Sequence, residues 1–324
     1  MPNSPVAFIF FERYIANMAF GVQVFFVISG FLITGLLLKE KVQNGFINIK
    51  HFYIRRAYRI LPVAYLYLIV ITLLCVAGIL SIHAKDVFCS AIFTTDFLPG
   101  TRSWFIGHMW SLSVEEQYYV LWPLILLLIP KKYYNVVIII VLYNIIIRFY
   151  LYYHPNPSNL FLLKGFLSFA PALMAGSIFA VGLFKGWFKH IHKFLIHPLA
   201  GLSLLLALLA YLPSTLLFAG LYSVPFDYLV SSIFIAVFLY HIVHIGPGNP
   251  LYNFFNHPVM NFIGILSYSI YIWQQPFFAP QFSGYNVNPW WALFPQNFLF
   301  VFAAALISYF TIEKAFLRLR KRFH

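Results

Sequence analysis

Glu115 and Glu116 stand side by side in the run His108-Met109-Trp110-Ser111-Leu112-Ser113-Val114-Glu115-Glu116, which leads into a long apolar stretch. The whole chain has eight acidic residues. A carboxylate carried into or beside hydrocarbon is costly unless partnered, so this pair points to chemistry at a membrane surface. His108, upstream in the same run, is a possible partner. Ser113 with Glu116 three residues later fits a capping box at a helix start, which accounts for Glu116. Glu115 has no such structural duty, and it shares a helix face with Tyr118, Tyr119 and Trp122. Pro123 is expected to kink this helix within the membrane.

A second cluster precedes another apolar stretch, in Arg55-Arg56-Ala57-Tyr58-Arg59-Ile60-Leu61-Pro62. Arg56 and Arg59 are three apart and share a helix face. They make a guanidinium pair suited to phosphate or pyrophosphate; a topogenic, headgroup-binding role is the other reading. Further on, Tyr268, Tyr271 and Gln275 fall along one face of an apolar segment, with Gln274 one position round. His241 and His244 are three apart but have no Cys or acidic companion, so they read as interfacial histidines and no metal site is expected. No Gly-rich nucleotide loop and no metalloprotease helix motif is present.

The elements that position these groups follow from composition. With 62% hydrophobic and 9% charged residues over 324 positions, too little polar surface exists to cover a soluble core. The expected fold is all-α, a polytopic integral membrane protein. Apolar runs long enough to cross as helix fall at about 18–38, 60–81, 112–130, 133–153, 163–184, 195–212, 225–245, 259–280 and 290–312. Stretches 86–98 and 215–222 are too short and read as surface or re-entrant pieces.

The net charge of +13 does not imply nucleic acid, because the basic residues are confined to alternate loops. Sixteen Lys and Arg lie on one predicted side, in 39–59, 131–132, 185–193 and 314–324; five lie on the other. The positive-inside rule then puts 39–59 and the C-terminus in the cytoplasm, and 81–111 and 152–162 outside. Cys75 and Cys89 are too few for a disulfide framework.

Taken together, four stretches resemble the bacterial membrane-bound acyltransferase family 3. They are Gly21-Val22-x-x-Phe25-Phe26-Val27-Ile28-Ser29-Gly30-Phe31, Arg55-Arg56-x-x-Arg59-Ile60-x-Pro62, His108-x-Trp110-Ser111-Leu112-Ser113-x-Glu115 and Ser267-Tyr268-x-x-Tyr271, in that order along essentially the whole chain. The resemblance implies one acyltransferase domain over 1–324 in the inner membrane. Its implied reaction moves an acyl group, commonly acetyl, from cytoplasmic acyl-CoA to a hydroxyl of an extracytoplasmic glycan, lipid or glycoside. Acyl-CoA is then a co-substrate, and no bound cofactor is expected.

In this scheme Arg56 and Arg59 hold the CoA phosphates on the inside, while Glu115 and His108 orient or polarise the acceptor hydroxyl at the outer face. Trp110, Ser113, Tyr268, Tyr271 and Gln274 are the implied substrate contacts. The rival readings are a non-catalytic, transporter-like protein for glycan intermediates and an inactive truncated copy. Two departures stand out. Many family members have His where this chain has Gln274, and the usual first helix, with an Arg and a likely catalytic His about ten residues apart, has no counterpart after Met1. The expectation is that the coding region continues upstream into that helix.

Overall fold

A computed structural model of the chain describes residues 19–98, 103–129, 132–153, 165–211, 226–278 and 290–323. Among these residues the structure is helical and contains no strand. The helices are α1 (Ala19–Asn44), α2 (Ile49–Val76), α3 (Ala84–Ala91), α4 (Met109–Leu128), α5 (Tyr133–Tyr153), α6 (Phe166–Lys185), α7 (Ser203–Tyr211), α8 (Asp227–His244), α9 (Pro258–Trp273), α10 (Gln296–Ser308) and α11 (Lys314–Arg320). Single turns fill several of the connections.

Six helices among the described residues are long and apolar enough to span a bilayer: Phe20–Asn44, Ile49–Val76, Tyr133–Tyr150, Phe166–Lys185, Asp227–His244 and Gln296–Arg320. The apolar helices Pro198–Ala210 and Pro258–Trp273 are shorter. This is an all-α polytopic membrane protein. Each of the nine apolar runs read from the sequence contains a helix, but α4, which carries Glu115, Glu116 and Gln117, is not among the six. The predicted stretch 215–222 lies outside the described residues, as does the N-terminal tail before residue 19.

One boundary shifts with consequence. Helix α2 starts at Ile49, eleven residues before the predicted span, with Asn48 capping it by accepting from the His51 amide at 3.0 Å. Arg55, Arg56 and Arg59 are therefore helical residues rather than loop residues. The predicted 86–98 piece is the short helix α3 followed by a turn at Thr95–Phe97.

The chain divides into two compact units, Met1–Ile47 with Leu121–Tyr252, and Asn48–Val120 with Asn253–His324. In the first, α1 packs closely on α6 at small residues, as expected where lipid supplies no hydrophobic drive between helices. A Cβ on Gly30 would lie 1.9 Å from the Leu173 carbonyl oxygen, and one on Gly176 would lie 1.9 Å from that of Val27. A Cβ on Gly21 or Gly35, on the same helix, would meet nothing within 4 Å. Helix α8 joins through Gln23, whose buried amide donates to the Tyr228 carbonyl at 2.7 Å and to Ser231 and Ser232 at 2.6 and 2.8 Å.

Candidate active site

The second unit holds every candidate residue named from the sequence. Helices α2 and α4 are joined by Tyr53, whose hydroxyl donates to the Val120 carbonyl at 2.9 Å, and by Tyr67, whose hydroxyl donates to that of Phe105, just ahead of α4. These two bonds tie the start of one helix to the C-terminal part of the other, so α2 and α4 run antiparallel. Arg56 thereby comes to lie beside the Glu115 turn. Its guanidinium carbon is 5.1 Å from the centre of the Tyr119 ring and 5.8 Å from that of Phe52, within the range of cation–π attraction.

Tyr119, one helical turn beyond Glu115, donates its hydroxyl to Glu115 Oε1. Glu115 is 2% exposed, and Arg56 lies within electrostatic range of both Glu115 and Glu116. The sequence reading placed the arginines inside and the acid outside; the structure instead gathers Arg56, Tyr119 and Glu115 in one place. The physical reason is depth. Tyr53 bonds Val120 across the antiparallel pair, so Arg56, about one turn further along α2, is level with the turn of α4 that precedes Val120, where Glu115 and Tyr119 stand.

The capping box is also overturned. Helix α4 begins at Met109, and Ser113 is inside it, donating to the Met109 carbonyl at 3.0 Å and accepting from the Thr95 amide at 3.2 Å. Glu116 consequently loses the duty that set it apart from Glu115, and its buried Oε1 has no hydrogen-bond partner among the described residues.

His108 closes the other end of this polar line. It is 5% exposed and wedged edge-on between Tyr67 and Tyr271, with ring centres at 5.3 and 5.5 Å. Its carbonyl accepts from Tyr271 at 3.0 Å and Ser111 at 3.1 Å, and Ser111 also pairs with the Tyr271 hydroxyl. Neither ring nitrogen has a hydrogen-bond partner among the described residues. Burial pushes the imidazole down to about 3, opposed by the backbone of Ile272. At neutral pH the ring is uncharged, and a base this weak is poorly matched to proton abstraction.

Helix α9 completes the cluster. Tyr268, buried, donates to the Ile60 carbonyl at 2.8 Å, fixing α9 against α2 just past Arg59. Gln274 is buried at the C-cap of α9, and its carbonyl accepts from the amides of Phe277 and Phe278 at 3.1 and 3.0 Å. Trp110 is half-buried at the start of α4. Of the sequence candidates, then, His108 and Tyr271 touch, Arg56 and Glu115 are linked through Tyr119, and Tyr268 sits beside Arg59.

Four of the acids, Asp86, Asp96, Glu115 and Glu313, are buried in this unit. Sequence reasoning picked out only Glu115 among them. Asp96 accepts from Gln117 at 2.9 Å and Asp86 from the Ser103 amide at 3.0 Å, so both brace the segment leading into α4. Their scarcity in so apolar a chain was the available signal. The interfacial reading of His241 stands apart from the site: it is buried and bonded through Nδ1 to the Leu195 carbonyl at 3.1 Å. No cluster of His, Cys, Asp and Glu able to hold a metal occurs among the described residues.

Comparisons with known proteins bear on the chain as a whole. Residues 2–313 match the acyltransferase domain of family 3. The chain belongs to this family. A Staphylococcus aureus (strain COL) protein named as a candidate O-acetyltransferase is 29% identical over 285 residues, covering 81% of this chain and 46% of its own length. The chain thus spans about half the length of such relatives. A Listeria monocytogenes peptidoglycan O-acetyltransferase is 33% identical over 122 residues, 32% of this chain and 19% of its own. No solved structure matches.

Proposed function

We propose that this family member is a membrane O-acyltransferase that moves an acyl group, acetyl by analogy with the named relatives, from acyl-CoA to a hydroxyl of a cell-envelope carbohydrate or glycolipid. The reading gives it a place in the inner membrane with the C-terminus in the cytoplasm, consistent with the side on which sixteen of the 21 Lys and Arg fall. The carrying observation is the Arg56–Tyr119–Glu115 cluster, with Tyr119 and Glu115 buried and Arg56 half-buried, in the unit that also brings in His108, Tyr268 and Tyr271.

Acyl transfer needs the acceptor oxygen to attack the thioester carbonyl while its proton leaves and CoA departs as the thiol. A transition state of this kind develops negative charge on the carbonyl oxygen, and a fixed guanidinium in a water-poor site stabilises such charge strongly. Arg56 supplies that cation, and Glu115 with Tyr119 holds it in position and offers an acceptor for the hydroxyl. His108, neutral and wedged between tyrosines, serves orientation rather than proton abstraction. Arg59 is left to the donor phosphates.

The test is acetyl-CoA binding and transfer by the chain reconstituted in lipid nanodiscs. Replacing Arg56 and Arg59 together by alanine is expected to abolish acetyl-CoA binding while membrane insertion is retained, and lysine at both positions should restore it poorly. Undiminished affinity in the double variant would remove the arginines from the donor site.

A further inference from the structure

Helix α10 does not run straight into α11. Between them Tyr309–Glu313 forms a π-turn, and such widened turns recur at functional sites because the inserted residue re-aims the side chains that follow. Here it turns Glu313 inward. The carboxylate is 2% exposed and accepts from Ser269 of α9 at 2.7 Å. From Glu313 at the end of the π-turn, Leu317 and Arg320 of α11 follow at four- and seven-residue spacing, so the three lie on one stripe spanning about 10 Å.

That stripe lines a cavity of about 560 Å³, whose walls also include Arg59 of α2 and Gly264 of α9. A Cβ on Gly264 would meet nothing within 4 Å, so the cavity stays open along that wall. Arg320 contributes a Nε that is buried and has no hydrogen-bond partner among the described residues. Arg55, Arg56 and Arg59 all lie within electrostatic range of it. The cavity wall itself carries two guanidiniums, Arg59 and Arg320, against one carboxylate, Glu313, which leaves an excess of positive charge.

We infer that this cavity is an organophosphate site, in which Arg59 and Arg320 grip a phosphate group from two sides and Glu313 accepts an N–H or O–H from the same ligand. Arginine suits the task because its planar fork matches phosphate oxygens. The volume lies within the range of small-molecule sites, roughly 300–1,000 Å³. Two sources supply this chemistry, the nucleotide end of the CoA donor and an anionic lipid headgroup. The assignment to the donor rests on the acyl-CoA reading above and extends the site from Arg59 to the C-terminal helix.

The experiment titrates coenzyme A onto the full chain in nanodiscs of zwitterionic lipid, and repeats the titration with phosphatidylglycerol included. Arg320→Gln is expected to weaken coenzyme A by about tenfold, the value of one charge-assisted contact, with Arg320→Lys intermediate. Gly264→Leu fills the cavity without changing charge or lowering helix propensity, and should weaken binding at least as much. It keeps the test sound should Arg320→Gln fold poorly.

If coenzyme A binds both variants as tightly as the parent while the Arg56, Arg59 double variant loses it, the cavity assignment is overturned and the acyl-CoA reading survives. A parent chain that binds no coenzyme A, yet shows phosphatidylglycerol binding weakened by Arg320→Gln, would retain the phosphate site, assign it to lipid and overturn the donor reading. Binding of neither ligand by the parent overturns both.

Discussion

The α1–α6 contact of the first unit and the α2–α4–α9 contact of the second are held together by opposite means. In the first, α1 meets α6 where side chains are missing, and the helices touch through backbone at Gly30 and Gly176. In the second, α2, α4 and α9 meet through hydroxyls on carbonyls and an arginine over a tyrosine ring, with four acids buried among them. Backbone contact is cheap in lipid and tolerates no insertion. Buried polar contact is expensive and is kept where charge has work to perform. The contrast separates a helix-packing contact from the candidate active site, and it can be broken from either side.

The largest effect should come from the helix-packing contact. Alanine at Gly30 or Gly176 places a methyl carbon 1.9 Å from a backbone oxygen of the facing helix, which neither helix can relieve by a rotamer change. Each substitution is expected to cost about 3 kcal/mol or more, read as loss of monodisperse protein after extraction or a large fall in thermal midpoint. A normal midpoint for Gly30→Ala would mean the α1–α6 contact is looser than described.

In the candidate active site, Glu115→Gln keeps the size of the side chain and its bond from Tyr119 but removes the charge beside Arg56. We expect acetyl transfer to fall about a hundredfold with little change in stability. Glu116→Gln should cost less, about tenfold, because Glu116 is in electrostatic range of Arg56 but lacks the tyrosine bond. Initial rates at saturating donor check the ranking. Equal losses would show that the two carboxylates act as one group.

This ranking of the glutamates follows from the sequence, but one of its reasons does not survive. The spacing of Ser113 and Glu116 suggested a cap, and the helix starts too early for that. Periodicity correctly put Tyr119 on the face of Glu115, and composition identified the membrane class. What could not be read was the pairing of α2 with α4, since a positive-inside count assigns loops to sides and says nothing of depth. Arg56 and Glu115 therefore seemed to face opposite solvents. Glu313 escaped notice because its burial depends on a π-turn, a one-residue irregularity with no sequence signature here. Nor does residue type tell Gly30 from Gly21 and Gly35: of the three, only a Cβ on Gly30 would meet α6.

A smaller effect should appear with pH. His108 is buried with its value held near 3, against about 6.5 in an unfolded chain. Between those values the unfolded chain binds a proton that the folded one refuses, so stability is full above pH 6.5 and falls as pH drops, by up to about 1.4 kcal/mol per unit. From pH 6.5 to 5 the loss should reach about 2 kcal/mol. Thermal midpoints in detergent at the two pH values measure it, and His108→Asn should flatten the dependence. An equally steep fall in that variant would assign the acid sensitivity to other groups.

The smallest expected effect sharpens the comparison most. Gly21 and Gly35 lie on the same helix as Gly30, and a Cβ on either meets nothing within 4 Å. If glycine were there for helix flexibility or general composition, alanine at 21 or 35 would disturb the helix as it does at 30. If contact alone matters, both substitutions should be neutral or slightly stabilising, since alanine exceeds glycine in helix propensity by up to about 1 kcal/mol. Midpoints of Gly21→Ala and Gly35→Ala within error of the parent or above it, beside a collapsed Gly30→Ala, would tie the helix-packing contact to the single Gly30–Gly176 crossing. A loss at Gly35 comparable to that at Gly30 would instead show a second surface pressed against α1, and the first unit would need a partner there.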